Sequence, residues 1–264
     1  MSQYGKLSTE FYELDKPEAA PDAFDFYEAF AREADGPIHE PMCGSGRFLL
    51  PLLAQGLDIS GSDASANMLD ACRKRAERSG LSPKLEQQAL EALSCERAPS
   101  LIFIPSGSFG LLIDDAQVMA ALARVHRVLA PGGTFLVEAE LLQPSALETS
   151  GVWGGRWVER PDGAKLVLSW LSQYSGAPNV TSSVHRYELV KDGQLLAVEY
   201  DDFRVRSYAS AEFRGLLQHA GFESIQAFRP YERGAEDEAP VTQASAHFAS
   251  PEEALVFCCR KAQR

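Results

Sequence analysis

The sequence predicts a doubly wound α/β fold: a mostly parallel sheet with helices on both faces, interrupted late in the chain by an antiparallel β insert. Two observations carry this expectation. From residue 22 to residue 140, apolar strand-like runs alternate with segments of helical periodicity across short loops, a pattern that builds parallel strands covered on both faces. After Gly151 the pattern changes to successive strand-like segments joined by hairpin turns, as expected of an antiparallel meander.

The elements follow in order. Residues 22–35 place apolar side chains at helical spacing, with Asp22 as a cap. A short strand over Pro37–Pro41 enters the glycine-rich turn Met42–Arg47, and a helix follows over Phe48–Gln55. Leu57–Ser62 reads as a second strand ending at Asp63. Ser65 caps a helix over Ala66–Ser79, which Gly80 and Pro83 stop. Lys84–Gln88 is a weak strand and Ser100–Ile104 a strong one between Pro99 and Pro105. Asp114–Leu129 is an amphipathic helix ending in Ala130-Pro131-Gly132-Gly133, and Thr134–Glu140 is the next strand. In the insert, Lys165–Tyr174, Val180–Leu189, Gln194–Tyr200 and Phe203–Tyr208 read as strands. Ala177-Pro178-Asn179 and Asp192-Gly193 supply turns. Ala211–Ala220 returns to helix with Gly221 beyond it, Phe222–Phe228 and Ala254–Arg260 are final strands, and the acidic stretch 232–250 reads as a loop.

Composition narrows the function. The 264 residues suit one large domain or two small ones, with a core that needs no disulfides or metal. A net charge of −12 argues against nucleic acid and anionic membranes as partners. No apolar run approaches the ~20 residues of a membrane span, and the polar, acidic N-terminus is unlike a targeting peptide. The five cysteines (43, 72, 95, 258 and 259) are odd in number and have neither CxxC nor metal-ligand spacing. We therefore expect free thiols, a reducing cytoplasm and no metal.

The stretch Ile38–Ser65 carries the chemistry. A buried strand ends at Glu40, a tight turn with Gly44 and Gly46 leads into a helix, and a second strand ends at Asp63, 23 residues after Glu40. This is the layout of a nucleoside site at the carboxyl edge of a parallel sheet, where glycines admit the ligand and the second acid accepts ribose hydroxyls. Two ligands fit. A dinucleotide needs GxGxxG, but Leu49 stands where the third glycine belongs. S-adenosylmethionine has no phosphate and a cationic end, which Glu40 suits.

These residues resemble the class I S-adenosylmethionine-dependent methyltransferases, in particular the small-molecule branch with methyltransferase domain 25 or 11. The family turn reads Glu/Asp-x-Gly-x-Gly-x-Gly; here Glu40, Gly44 and Gly46 match, with Met42 where the first glycine is expected. Asp63 matches the ribose acid, residues 102–109 resemble the fourth strand and its loop, and residues 125–141 resemble the Pro-Gly-Gly turn and fifth strand. Residues 208–225 resemble the last helix and sixth strand, and the opening around FYELDKPE resembles a lid. The adenine-contacting Asp of many members is replaced by Ala89, followed by Leu90 and Glu91.

The resemblance implies a Rossmann-like, seven-stranded, mostly parallel sheet with the β insert between the fifth strand and the last helix. It implies one methyltransferase domain over 1–264, with 1–21 as lid and 151–208 as insert, acting on a small molecule. Its cofactor contacts fall on Glu40, Met42, Cys43, Gly44, Gly46, Arg47, Asp63, Ala64, Met68, Ala89, Leu90, Glu91 and Ile104. Because the insert leaves the fifth strand at the crevice edge, Trp153 and Arg156 are expected to line an acceptor pocket with Tyr12, Ser106 and Phe109. Alternatively, the insert is a homodimer interface. Methyl transfer from a sulfonium relies on position and desolvation; Tyr12 and His185 are candidate catalytic groups, and His39 is expected in the core. Two other classes stay open: an NAD(P)-dependent oxidoreductase, and a non-catalytic nucleotide-binding protein.

Overall fold

The computed structural model describes residues 4–141, 151–176, 179–229, 231 and 254–263. Two helices open the chain, α1 (Lys6–Asp15) and α2 (Pro21–Glu33). The alternating half comprises β1 (Ile38–Pro41), α3 (Leu49–Ala54), β2 (Ile59–Asp63), α4 (Ala66–Arg78), β3 (Lys84–Gln87), β4 (Leu101–Ile104), α5 (Asp115–Val128) and β5 (Thr134–Glu140). The meander comprises β6 (Trp153–Glu159), β7 (Lys165–Ser175), β8 (Val180–Lys191) and β9 (Gln194–Arg206), followed by α6 (Ser210–His219), β10 (Glu223–Phe228) and β11 (Ala254–Arg260).

The main sheet has seven strands in the order β10-β11-β5-β4-β1-β2-β3. The five strands β1 to β5 run parallel, and β11 pairs antiparallel with both β5 and β10. β4 shows why this half reads as continuous apolar runs. Ile102 and Ile104 pack with Val118, Leu122 and Phe213 on one face, while Leu101 and Phe103 pack with Phe26, Tyr27 and Leu49 on the other. A strand buried on both faces has no place for alternation. β1 is flanked by β4 and β2, so the strand order reverses there. Open α/β sheets bind ligands beyond the carboxyl ends of the strands at such a reversal.

β6 to β9 form a separate antiparallel sheet. α1 lies on its inner face, where Leu7 and Phe11 pack with Leu166, Leu168 and Tyr187. Arg206 ties the meander to the main body by pairing with Asp115 at 2.5 Å and Glu212 at 3.0 Å. The outer face leaves Trp153, Trp157, Val184, Val198 and Tyr200 about half to two-thirds exposed.

Three elements differ from the sequence reading. The lid segment contains a regular helix, α1. Trp153–Glu159 is a strand, admitted because Gly154 leaves room for the Trp170 ring. Gln194–Arg206 is one continuous strand rather than two, with Asp201 and Asp202 inside it. The expected loop 232–250 and the turn residues Ala177 and Pro178 lie outside the described residues.

Candidate active site

Asp63 ends β2 with its carboxylate held from two sides. Gly44 N–H donates to Oδ2 and Ser65 N–H to Oδ1, both at 2.8 Å. Burial pushes this carboxyl up while those N–H groups oppose the shift, and each oxygen keeps a lone pair free to accept again. The turn before it is left-handed at three residues: Met42 (φ 58°), Gly44 (φ 54°) and Gly46 (φ 81°). Met42 therefore occupies, at a cost of about 1–2 kcal/mol, a conformation that glycine adopts freely. Its side chain packs against the core cluster under β4 and β5.

Around this turn opens a cavity of about 290 Å³. Its lining includes Glu40, Met42, Cys43, Gly44 and Arg47 from β1 and the turn, Asp63, Ala64, Ser65 and Met68 from the end of β2 and the start of α4, and Gln88, Ala89, Leu90, Glu91 and Gln117 from the segment after β3 and from α5. Tyr4 and Tyr12 reach in from the lid, Pro105, Ser106 and Ser108 from the loop after β4, and Arg204 from β9.

Two carboxylate oxygens in this lining are buried without a hydrogen-bond partner: Glu40 Oε2 and Glu91 Oε2. Glu40 is 2% exposed, and burial raises its carboxyl well above the usual range despite the Arg47 guanidinium. Glu91 Oε1 is occupied by the Gln117 amide at 3.0 Å. Orphaned buried acceptors are costly. A ligand with a donor at each end, an ammonium at Glu40 and an amino group at Glu91, would satisfy both. This acceptor set fits S-adenosylmethionine, with Asp63 in the same lining to accept ribose hydroxyls.

Within this lining, the Arg47 guanidinium sits 5.0 Å from the Tyr12 ring centroid and donates to Ser106 Oγ at 3.3 Å. Burial raises the Tyr12 phenol, so at neutral pH it is a hydrogen-bond donor. Ser106 is itself left-handed (φ 58°), and its N–H donates to Glu138 Oε2 at 2.8 Å. Glu138 is a buried carboxylate that also accepts from the Tyr231 and Tyr27 hydroxyls.

Several expected residues stand elsewhere. Phe109 is fully buried against Phe213 and Tyr208, because the short helical turn Ser108–Leu111 rolls it into the core. Ile104 is likewise core, on the face covered by α5. Gly46 backs onto α4, where a Cβ would lie 2.6 Å from Cys72 Sγ. Trp153 is 65% exposed on the outer face of the insert. Arg156 turns to the lid, pairing with Asp15 at 2.6 Å and resting on Phe11. His185 stacks on Phe203 at 4.8 Å and does not line the cavity; burial lowers its pKa to about 4. Cys43 is a buried thiol with its pKa pushed far up. His39 is buried, its two nitrogens each 2.9 Å from a hydroxyl, of Ser60 and Ser62.

Gln88, Gln117, Arg204 and Glu138 escaped the sequence reading. Gln88 follows a strand end and Gln117 opens a helix, positions that signal a site; Arg204 comes from a distant element and carries no local signal. Among the described residues no His, Cys, Asp and Glu group is arranged to hold a metal, and no helix is long and apolar enough to cross a membrane.

Residues 38–133 match the family model of a methyltransferase domain. Similar solved structures share the fold along nearly the whole chain. An S-adenosylmethionine-dependent methyltransferase from Clostridium acetobutylicum ATCC 824 is 16% identical with a TM-score of 0.75, covering 97% of this chain and 98% of its own. The sugar N-methyltransferase KedS8 from Streptoalloteichus sp ATCC 53650 is 17% identical with a TM-score of 0.73, covering 99% and 97%. The chain spans less than half the length of the curated relatives it matches. A candidate methyltransferase of Geobacillus sp. (strain WCH70) is 24% identical over 109 residues, 41% of this chain and 44% of that protein. The fold is that of the S-adenosylmethionine-dependent methyltransferases, Rossmann-like with a seven-stranded sheet.

Proposed function

We propose that the protein is an S-adenosylmethionine-dependent methyltransferase acting on a nitrogen or oxygen of a small molecule. The observation that carries this reading is the pair of partnerless carboxylate oxygens, Glu40 Oε2 and Glu91 Oε2, in one cavity that Asp63 also lines. The methyltransferase domain over residues 38–133 and the likeness to methyltransferase structures support it. KedS8 is a sugar N-methyltransferase, so a sugar amine is the first acceptor class to test.

When bound, the cofactor supplies a methyl group on a sulfonium, which an acceptor lone pair takes in line while sulfur keeps the bonding electrons. The chain's own residues bind and exclude water. Glu40 receives the ammonium, Asp63 the ribose hydroxyls, and Tyr4 and Tyr12 close the cavity to solvent, which favours a reaction that disperses charge. Tyr12, as a phenol beside Arg47, orients the acceptor by donating a hydrogen bond. An amine arriving neutral needs no dedicated base; its proton leaves after transfer. This assigns no base role to His185.

The homodimer reading of the insert is favoured by its outer face, where Trp153, Trp157 and Tyr200 remain exposed. Sedimentation of the wild type and of Trp157→Glu tests it; monomer in both rejects it. Five free cysteines suit a reducing cytoplasm.

A homocysteine-release assay over sugar amines, other amines and hydroxyl acceptors tests the function. Turnover that survives EDTA is expected. Wild-type protein that binds S-adenosylhomocysteine yet methylates nothing would favour a binding protein; tight NADH binding would favour an oxidoreductase.

A further inference from the structure

We infer that Glu199, which is not part of the cavity lining, is a positioning residue that latches the lid helix over it; the inference rests on the methyltransferase reading above. The first N–H groups of a helix have no acceptor within it. In α1 the preceding residue is Gly5, which offers no side-chain cap. Instead the N–H groups of Lys6 and Leu7 donate to Glu199 Oε2 at 2.8 and 3.0 Å, and that of Ser8 to Oε1 at 3.0 Å. One carboxylate from β9 thus serves three donors at the positive end of the helix dipole. Gly5 suits the same contact, because a Cβ there would displace the Glu199 carboxylate from its present position.

The latch has consequences on both sides of α1. Towards the insert, Phe11 meets Tyr187 edge-on at 5.7 Å, and Asp15 and Glu10 pair with Arg156 and Arg160. Towards the main body, the Tyr4 carbonyl accepts from Asn67 Nδ2 at 2.9 Å, and Glu13 pairs with Arg75 at 3.3 Å. The Tyr4 and Tyr12 rings meet edge-on at 5.9 Å over the cavity. On this reading, α1 moves between α4 and the insert as the ligand enters, and it stays anchored to the insert through Glu199. Glu199 therefore sets where the lid closes, and couples the insert to cofactor retention.

The test compares wild type, Glu199→Ala, Glu199→Gln and Gly5→Ala by titration with S-adenosylhomocysteine and by amide exchange of residues 5–12. In the free wild type, the amides of Lys6, Leu7 and Ser8 should exchange slowly, and the ligand should slow them further. Glu199→Ala and Gly5→Ala should bind about ten-fold more weakly, the size of a lost N-cap. Both should lose the ligand-induced protection while the thermal midpoint of the free protein stays close to wild type. Glu199→Gln, whose amide oxygen still accepts, should recover part of both. Wild-type affinity in Glu199→Ala and Gly5→Ala would overturn the inference. So would an affinity loss that merely tracks a lower thermal midpoint, with no rescue by Gln. A wild type that binds no S-adenosylhomocysteine would instead break the functional reading, while exchange in the free protein still reports on the latch.

Discussion

All four residues of β1 and all four of β4 are buried, whereas β6 and nearly all of β9 alternate between half-buried and exposed. The first two strands end at the cavity; the other two belong to the insert. Burial on both faces fixes a strand in every direction, so a carboxylate at its end is placed to within hydrogen-bond precision. The insert is held by one face, through α1 and Arg206. Its open face is free to change without moving Glu40 or Asp63. A fold that keeps one chemistry and varies its partner is expected to divide its constraints in this way.

The comparison can be broken most sharply at two glycines with similar backbones. Gly46 (φ 81°) faces Cys72, and Gly163 (φ 78°) in the insert has open space around it. Gly46→Ala combines left-handed strain with overpacking and should lower stability by about 2–4 kcal/mol in urea denaturation. Gly163→Ala meets only the strain and should lose about 1–2 kcal/mol. Equal losses would contradict the difference in packing.

Ligand affinity should divide in the same way. Glu40→Gln removes the carboxylate proposed to receive the ammonium and should weaken S-adenosylhomocysteine binding by about 1.5–3 kcal/mol, ten- to hundred-fold, by calorimetry. Trp157→Ala, in the exposed face, should leave that affinity unchanged and shift stability by less than about 0.5 kcal/mol.

Acid offers a smaller, signed test. Burial lowers His39 from 6.5 to about 4. The fold therefore favours neutral imidazole, and this stability is present above pH 6.5 and lost as pH falls towards 4, by at most about 3 kcal/mol. Asp201 in the insert is raised from 3.8 to about 6 by burial, then by Glu199 and Asp202. The fold holds that proton, so its contribution falls as pH rises from 3.8 to 6. His185, paired across the strands with Asp201 and lowered to about 4, has the sign of His39 and offsets it. Between pH 7.5 and 5, wild type should lose stability in urea, His39→Asn should lose less, and Asp201→Asn should lose more.

The same division explains what could be read in the sequence. The strand ends at Glu40 and Asp63, the glycine turn and the Pro-Gly-Gly turn follow from local rules of periodicity and backbone conformation. α1 does not, because its cap is a side chain 191 to 193 residues away. β6 is hidden in the sequence by two adjacent glycines, of which Gly154 makes room for the Trp170 ring across the sheet. Phe109 was placed at the acceptor by its loop, yet that loop coils and buries it. Trp153 and Arg156 were placed by topology alone, which locates the insert but not the direction of its side chains.

On the proposed function, the cavity takes a nucleoside with a cationic amino end, held at Asp63. Calorimetric titration of wild type and Asp63→Ala with S-adenosylhomocysteine and with NADH tests it most directly. Wild type should bind S-adenosylhomocysteine and not NADH, and Asp63→Ala should lose at least about 1.5 kcal/mol of that affinity through the missing charge-assisted hydrogen bonds. Tight NADH binding without S-adenosylhomocysteine binding, or wild-type S-adenosylhomocysteine affinity in Asp63→Ala, would contradict it.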